Sequence, residues 1–209
     1  MHFIVARRGS AVPAKQLWTV STATSLWSCR PICSWELKEG VIMSRDRPDE
    51  DGSRAFEFLL GDSTIVNRRL VHRFAGSDEW ETFEARQTNL ALPGNIGNYD
   101  DFVAHAWRPG YVGLSLRLFN PQNGLWSIYW LDNETGGLNP SGLLRPPVVG
   151  KFTDGVGVFE GSDEIHGKPI LVRFTWADID TSSPRWEQSM SDDDGQSWEM
   201  NWSMVFDRR

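Results

Sequence analysis

The sequence predicts an all-β protein: a single antiparallel up-and-down barrel of about ten strands, preceded by a disordered N-terminal extension. Three observations predict this fold class. Apolar and polar residues alternate with a period of two after residue 55, short turns rich in Gly, Pro and Asn separate the alternating segments, and only 54–62 is predicted to form a short helical turn. Because an open sheet would leave two exposed edges, we expect the strands to close into a barrel.

Four segments show the alternation most clearly, and each is rich in aromatic or aliphatic residues. They are YVGLSLRLF (111–119), GLWSIYWLD (124–132), PILVRFTWAD (169–178) and SWEMNWSMVFD (197–207). In the last segment the alternation predicts that Met200, Trp202, Met204 and Phe206 share one face.

Weaker alternation predicts the remaining strands. They are expected at 63–74, 80–91, 96–105, 147–152, 156–161 and 184–190. The longest break between strands, 133–147, is rich in Gly and Pro, and it is therefore predicted to be an irregular loop.

The composition restricts the classes of partner. The formal net charge of −7 argues against nucleic acid, which attracts basic surfaces, and against an anionic membrane surface. No run of apolar residues approaches the 18 or so that a transmembrane helix needs. We therefore expect a cytoplasmic protein with no nucleic-acid or membrane partner.

The first part of the chain differs from the rest. Residues 1–54 are predicted to be a disordered extension, and 55–209 to be the barrel domain. Because 1–42 lacks both helical and strand periodicity, we favour a natural start at Met43, with 1–42 as translated upstream sequence or a poorly ordered tail.

Two other roles for the extension have little support in its residues. An export signal is the alternative to an upstream segment, but Lys15 and Gln16 interrupt the apolar core that such a signal requires. The only two cysteines, Cys29 and Cys33, lack the additional ligands of a zinc site, so no metal site is predicted.

The stretch SMSDDDGQSWEMNW (189–202) contains Ser191, Asp193, Gly195 and Trp198, a spacing that resembles the Asp-box hairpin of sialidases. Sialidases carry repeated boxes on propeller blades, and a propeller needs several four-stranded blades. This chain has one box and too few strands. The spacing therefore predicts a β-turn between two strands, in which the Asp accepts hydrogen bonds from the backbone, and it does not predict glycosidase activity.

Four segments in order resemble a family of uncharacterised bacterial proteins regarded as lipocalin-like or fatty-acid-binding-protein-like barrels of the calycin type. They are FEFLLGDSTIVNRRL (56–70), LFNPQNGLWSIYWLD (118–132), PPVVGKFTDGVGVFEG (146–161) and RWEQSMSDDDGQSWEMNWSMVF (185–206). The resemblance covers the chain from residue 55 onward and implies a barrel with an enclosed cavity. It implies no particular activity.

One departure from the family pattern concerns the first strand. The pattern there is G-[DE]-W, and the Trp commonly closes one end of a calycin barrel, but Ser63 follows Gly61 and Asp62 in this chain. We therefore expect either a compensating aromatic residue, such as Phe56 or Phe58, or a more open base.

A barrel of this size encloses a cavity, and such cavities are mostly apolar with a few fixed polar groups. The leading hypothesis is a module that binds a small, largely apolar ligand, with or without a carboxylate. The residues predicted to form the wall are Arg117, Tyr129, Trp130, Arg173, Trp176 and Trp202. For the two arginines the alternative is that alternation places them on the solvent face in ordinary cross-strand pairs.

Two other classes of function remain open: a small-molecule enzyme or haem protein, and a structural or oligomerisation domain with a filled barrel. The first would use His72 or His105, which are predicted to lie in strands, as acid or base or as axial ligand. No catalytic motif is found, no cofactor is predicted apart from haem as the alternative, and the acidic residues of SDDDG and NYDDF are expected to be solvated. The expected partner is a small hydrophobic molecule, and a homodimer is left open.

Overall fold

The structure, a computed structural model, describes residues 51–208. It contains ten strands, each at a predicted position: β1 (Gly61–Leu70), β2 (Trp80–Ala91), β3 (Gly97–Val103), β4 (Val112–Asn120), β5 (Leu125–Asp132), β6 (Val148–Thr153), β7 (Val156–Ile165), β8 (Lys168–Ala177), β9 (Arg185–Ser191) and β10 (Glu199–Arg208). A 3₁₀ helix at Glu57–Leu59 confirms the predicted helical turn, and a second covers Pro93–Asn95. The predictions about residues 1–50, including the disordered extension, the start at Met43 and the cysteine pair, lie outside the described residues.

The strands form one closed antiparallel barrel, which confirms the predicted fold class. Each strand pairs with its neighbours in sequence, and β1 closes the barrel against β10 from Ser63–Arg208 to Arg69–Trp202. Every strand therefore has a partner on both sides, and the sheet has no free edge that could pair with another chain.

Pairing is shortest between β5 and β6. These strands pair only from Trp126–Gly150 to Ile128–Val148, whereas β1 and β2 pair along their full length from Gly61–Asn89 to Leu70–Trp80. The connection between β5 and β6 is the irregular loop predicted at 133–147, with one isolated bridge between Leu138 and Leu144. This short pairing, the β5–β6 seam, is where the wall of the barrel has fewest hydrogen bonds.

An aromatic cluster closes one end of the barrel, which we call the base. Phe56 is fully buried there, with its ring centroid 5.0 Å from those of Trp126 and Phe152. The indole of Trp126 donates a hydrogen bond to the carbonyl of Gly52 at 2.8 Å, which ties the segment before β1 to the barrel. The base is therefore filled by aromatic rings, Phe56 among them, and it is not open.

A β-bulge in β10 changes which side chains face inward. The register with β9 pairs Met200 with Ser189 and then Trp202 with Gln188, so Asn201 is an additional residue. As a result Asn201 and Trp202 are both buried, and Met200 is exposed on the outer face. The prediction that Met200 shares a face with Trp202 is therefore wrong, because the bulge shifts the alternation by one residue.

Candidate functional site: an internal cavity

The barrel encloses a cavity of about 170 Å³. Most of its lining is aromatic or aliphatic, and the buried side chains come from the inner faces of β2 to β6 and β8 to β10, with β7 contributing at the mouth. The aromatic part of the wall comprises Phe102, Trp130, Phe174, Trp176, Trp186, Trp202 and Phe206. A rigid, mostly apolar wall of this kind is typical of ligand-binding cavities in proteins.

Four of the six residues predicted for the wall line this cavity. Arg117, Trp130, Trp176 and Trp202 are on the inner faces of β4, β5, β8 and β10. The alternation of the strands brings them together although they are far apart in sequence.

Tyr129 and Arg173 are not in the wall, which corrects the prediction for both. Tyr129 lies between Ile128 and Trp130, which face inward, so strand alternation directs its side chain outward. Arg173 is on the outer face of β8, where Nε contacts Glu160 at 2.6 Å and the guanidinium lies 3.8 Å from the ring centroid of Trp198. The alternative of a cross-strand pair on the solvent face thus describes Arg173.

Arg117 occupies the opposite environment, since it is buried beside the base. Its Nη1 donates to Asp100 Oδ2 at 2.7 Å and to Asn98 Oδ1 at 3.1 Å, across the pairing of β3 with β4. Its guanidinium carbon also lies 5.5 Å from the ring centroid of Phe56 and 5.9 Å from that of Trp176. The charge is neutralised by one carboxylate and shielded by aromatic faces.

The sequence analysis missed Asp100. The acidic residues of NYDDF were expected to be solvated, but Asp100 is on the inner face of β3 and is only 1% exposed. Its Oδ1 accepts a hydrogen bond from the backbone N–H of Ser115 at 3.2 Å, in addition to the contact with Arg117. The expectation is therefore wrong for Asp100, because a cationic partner on the neighbouring strand offsets the cost of its burial.

Three polar atoms in the cavity wall make no hydrogen bond with any residue of 51–208. They are Gln87 Nε2, Arg117 Nε and Trp176 Nε1, and all three are buried N–H donors. A buried donor without a partner costs roughly 1–3 kcal/mol. Almost none of the surface of these three atoms is accessible, so they are enclosed by the wall and do not face the open part of the cavity.

Further polar residues hold the aromatic wall in position. The indole of Trp202 donates to Asn67 Oδ1 at 3.0 Å, and Gln188 Nε2 donates to Asn201 Oδ1 at 2.8 Å. Asn67 and Asn201 are both fully buried. No local pattern in the sequence indicates these bonds, because each joins strands that are distant in sequence or depends on the bulge.

The cavity reaches the surface beside the β5–β6 seam. Its lining there includes Arg145 and Pro146, just before β6, and Ser162 and Asp163 on β7, all of which are exposed. Arg145 Nη1 and Asp163 Oδ1 are 3.9 Å apart, so the mouth carries one charge of each sign. A small molecule would enter by passing this pair.

At the opposite end from the base, a second aromatic group covers the barrel. The ring of Trp107 stacks on Phe83 with the centroids 4.9 Å apart, and Tyr111 packs edge-on against Trp107 at 5.1 Å. Burial, reinforced by the charge of Asp132, raises the pKa of Tyr111 to about 12. This end is therefore closed by packed rings.

His72 and His105 do not reach the cavity, and the expectation that they lie in strands is wrong. β1 ends at Leu70 and β3 at Val103, so both histidines follow a strand end and are exposed in loops. His72 Nε2 is 3.8 Å from Glu79 Oε2 on the surface. Hence neither histidine is placed to act as acid or base, or as axial ligand, inside the barrel.

The described part of the chain contains neither a metal-binding cluster nor a membrane-spanning helix. Within 51–208, no group of three or more His, Cys, Asp or Glu side chains could hold a metal ion. No helix in the same range is long and apolar enough to cross a membrane.

The Asp-box spacing forms the predicted turn between β9 and β10. Asp193 accepts hydrogen bonds from the backbone N–H of Ser197 at 2.9 Å and from its hydroxyl at 2.7 Å. The indole of Trp198 donates to the carbonyl of Gly195 at 3.1 Å, which folds the ring over the turn. The hydrogen-bonding capacity of Asp193 is thus used within the turn itself, as the sequence predicted.

Comparison with known proteins adds no closer identification: no family model matches the chain, and no curated protein matches it by sequence. The closed ten-stranded antiparallel barrel is compatible with a calycin-like fold. The geometry and chemistry of the cavity therefore provide the evidence for function.

Proposed function

We propose that this barrel binds a small, largely apolar molecule in its internal cavity. The observation that carries the proposal is an internal cavity with a mostly aromatic wall and a mouth beside Arg145 and Asp163. In a barrel that served only as a structural domain, an empty apolar cavity would cost stability. A bound molecule that fills the cavity offsets this cost.

The size of the cavity limits the ligand. A volume of about 170 Å³ is comparable to the roughly 150 Å³ of a buried apolar cavity that binds benzene. The ligand is therefore compact, on the scale of one ring with a short substituent, unless part of it extends through the mouth near Arg145.

The resemblance to lipocalin-like and fatty-acid-binding-protein-like barrels supports the same kind of function. The four sequence segments that carry the resemblance include β5, β9 and β10 of the cavity wall, whereas β2, β3 and β8 lie outside them. On this basis we also propose that the protein is bacterial and cytoplasmic and that its barrel is of the calycin type.

The test is native mass spectrometry of the protein isolated from the cells that produce it. We expect a retained mass that is lost on denaturation. Ser115→Phe places a ring in the cavity, so the retained mass should disappear, while circular dichroism shows the barrel intact.

The matched control is Ser127→Phe, the same substitution on the outer face of β5, where Ser127 pairs with Leu118 and Val149. This variant should keep the retained mass. Loss of the mass in both variants, or its absence from the unmodified protein, would contradict internal binding.

A further inference from the structure

We infer that Gly113 and Trp130 determine the largest molecule that the cavity admits, because the missing side chain at position 113 gives the indole of Trp130 its place in the wall. The inference rests on the proposed function, since it assumes that the cavity binds a ligand. It goes beyond that function by assigning size selectivity to one pair of residues on the neighbouring strands β4 and β5.

Gly113 is a glycine that the backbone does not require. It lies inside β4, it is buried, and its φ is outside the left-handed region that favours glycine. A glycine inside a strand weakens the strand, because it has no side chain to pack. The advantage of a glycine at this position therefore lies in what packs against it.

The group that packs against Gly113 is the indole of Trp130. A Cβ atom at position 113 would lie 2.5 Å from Cζ2 of that ring, closer still to Cη2, and 3.3 Å from Cζ3. Non-bonded carbon atoms attract each other best at separations of about 3.5–4.0 Å. The six-membered ring of the indole therefore occupies the space in which any other residue would place its side chain.

A side chain at position 113 would push this ring into the barrel. Gly113 shares the inner face of β4 with Ser115 and Arg117, which line the cavity, so a Cβ atom there points toward the interior. Phe102 on β3, with its ring centroid 5.8 Å from that of Trp130, fills the space on the other side of Gly113. The free space next to the ring is the cavity itself, and a displaced ring would reduce the volume of that cavity.

Trp130 also borders the mouth of the cavity. It lies two residues beyond Ile128, the last residue of β5 that pairs with β6. Trp130 itself pairs with Ser115 of β4, and Arg145 and Pro146, just before β6, line the same cavity. The position of the indole therefore limits the room beside the entrance as well as the volume inside.

Two neutral probes of different length measure the size selectivity. Benzene fits a cavity of about this volume, and propylbenzene adds a short chain to the same ring. Isothermal titration of the full chain gives the dissociation constant of each probe, and the ratio of the two constants is the measure of selectivity. Gly113→Ala should weaken propylbenzene by at least about tenfold relative to benzene, because the displaced ring takes the space of the chain.

Trp130→Phe should cancel this effect. Phenylalanine lacks the ring atoms that lie over Gly113, so the variant alone should favour propylbenzene by about threefold more than the unmodified protein does. In that background Gly113→Ala should change the ratio by less than about twofold, since the added methyl group no longer meets a ring. A substitution that merely destabilises the barrel would not be cancelled in this way.

Gly157→Ala on β7 is the matched control. The φ of Gly157 is also outside the left-handed region, and a Cβ atom there would lie 2.7 Å from Cε1 of Phe152. Phe152 belongs to the base and is not among the residues that line the cavity. This variant should therefore lower the stability of the barrel and leave the ratio of the two dissociation constants unchanged.

The outcomes separate this inference from the proposed function. If Gly113→Ala weakens both probes equally, if Trp130→Phe does not cancel its effect, or if Gly157→Ala changes the ratio as much, size selectivity is wrongly assigned and internal binding stands. If neither probe binds and the native protein has no retained mass, both are wrong.

Two further measurements decide the question where the titrations alone do not. If the native protein has a retained mass but neither probe binds, a crystal structure of Gly113→Ala should show the indole of Trp130 displaced into the cavity, and an unmoved indole would contradict the inference. If Gly113→Ala does not fold, Trp130→Phe is compared with the unmodified protein, and an unchanged ratio would contradict it.

Discussion

At the scale of single residues, two arginines with similar sequence surroundings have opposite environments. Arg117 lies between Leu116 and Leu118, and Arg173 lies between Val172 and Phe174. Arg117 faces inward because Asp100 on the adjacent strand neutralises it, whereas Arg173 faces outward toward Glu160. The deciding partner is on another strand in both cases, so local sequence could not distinguish them.

The bond between Trp202 and Asn67 gives the first prediction. Asn67→Ala would leave the buried indole N–H of Trp202 without its acceptor at 3.0 Å and would open a small void. We expect the free energy of unfolding to fall by about 2–3 kcal/mol. Val66→Ala is the control on the neighbouring, exposed position of β1, and it should change the free energy by less than about 1 kcal/mol. Equal losses in both variants, measured by urea unfolding, would show that the bond contributes nothing specific.

At the scale of secondary-structure elements, the positions of all ten strands could be predicted because a two-residue period is a local property of the sequence. Features that depend on the exact end of a strand or on its register could not be predicted. The bulge at Asn201 moved Met200 to the outer face, and the ends of β1 and β3 left His72 and His105 in loops. Each of these depends on pairing with a neighbouring strand, which the sequence of one strand does not encode.

The turn between β9 and β10 gives a prediction for pH dependence. Hydrogen bonds from the Ser197 hydroxyl and backbone, and from Ser191, lower the pKa of Asp193 from 3.8 to about 2. Because the lowered pKa belongs to the folded state, the stabilisation is complete above pH 4 and is lost as the pH falls through about 2. Titration by NMR should show this low value directly.

The variant that tests the same turn is Asp193→Asn, which cannot titrate. Its stability should fall less between pH 4 and pH 2 than that of the unmodified protein. Asp194→Asn, which removes a neighbouring charge in the same turn, is the control and should retain the full acid dependence. If Asp193→Asn also retains it, the acid sensitivity arises from other carboxyl groups.

At the scale of the whole molecule, the closed barrel was predictable from the number of strands and the need to pair every edge. The chemistry of its interior was only partly predictable. Trp130, Trp176 and Trp202 were expected in the wall on alternation alone, while Gln87 and Asp100 were not, because polar residues in weak strands look like ordinary surface residues. The packing of Phe56 in the base belongs to the same scale, since it joins the chain before β1 to four later strands.

The uneven pairing around the barrel predicts where it opens. The β5–β6 seam has the shortest run of paired residues, and the mouth of the cavity at Arg145 and Asp163 lies beside it. Local opening at the seam requires breaking only the hydrogen bonds of that region. We therefore expect backbone amides that bond across the seam, at Trp126–Ile128 and Val148–Gly150, to exchange faster with solvent. The rate should be at least about tenfold higher than for amides between β1 and β2. Native-state hydrogen exchange measures this residue by residue, with the long β7–β8 pairing as a second reference. Uniform protection around the sheet would show that the barrel opens only by global unfolding.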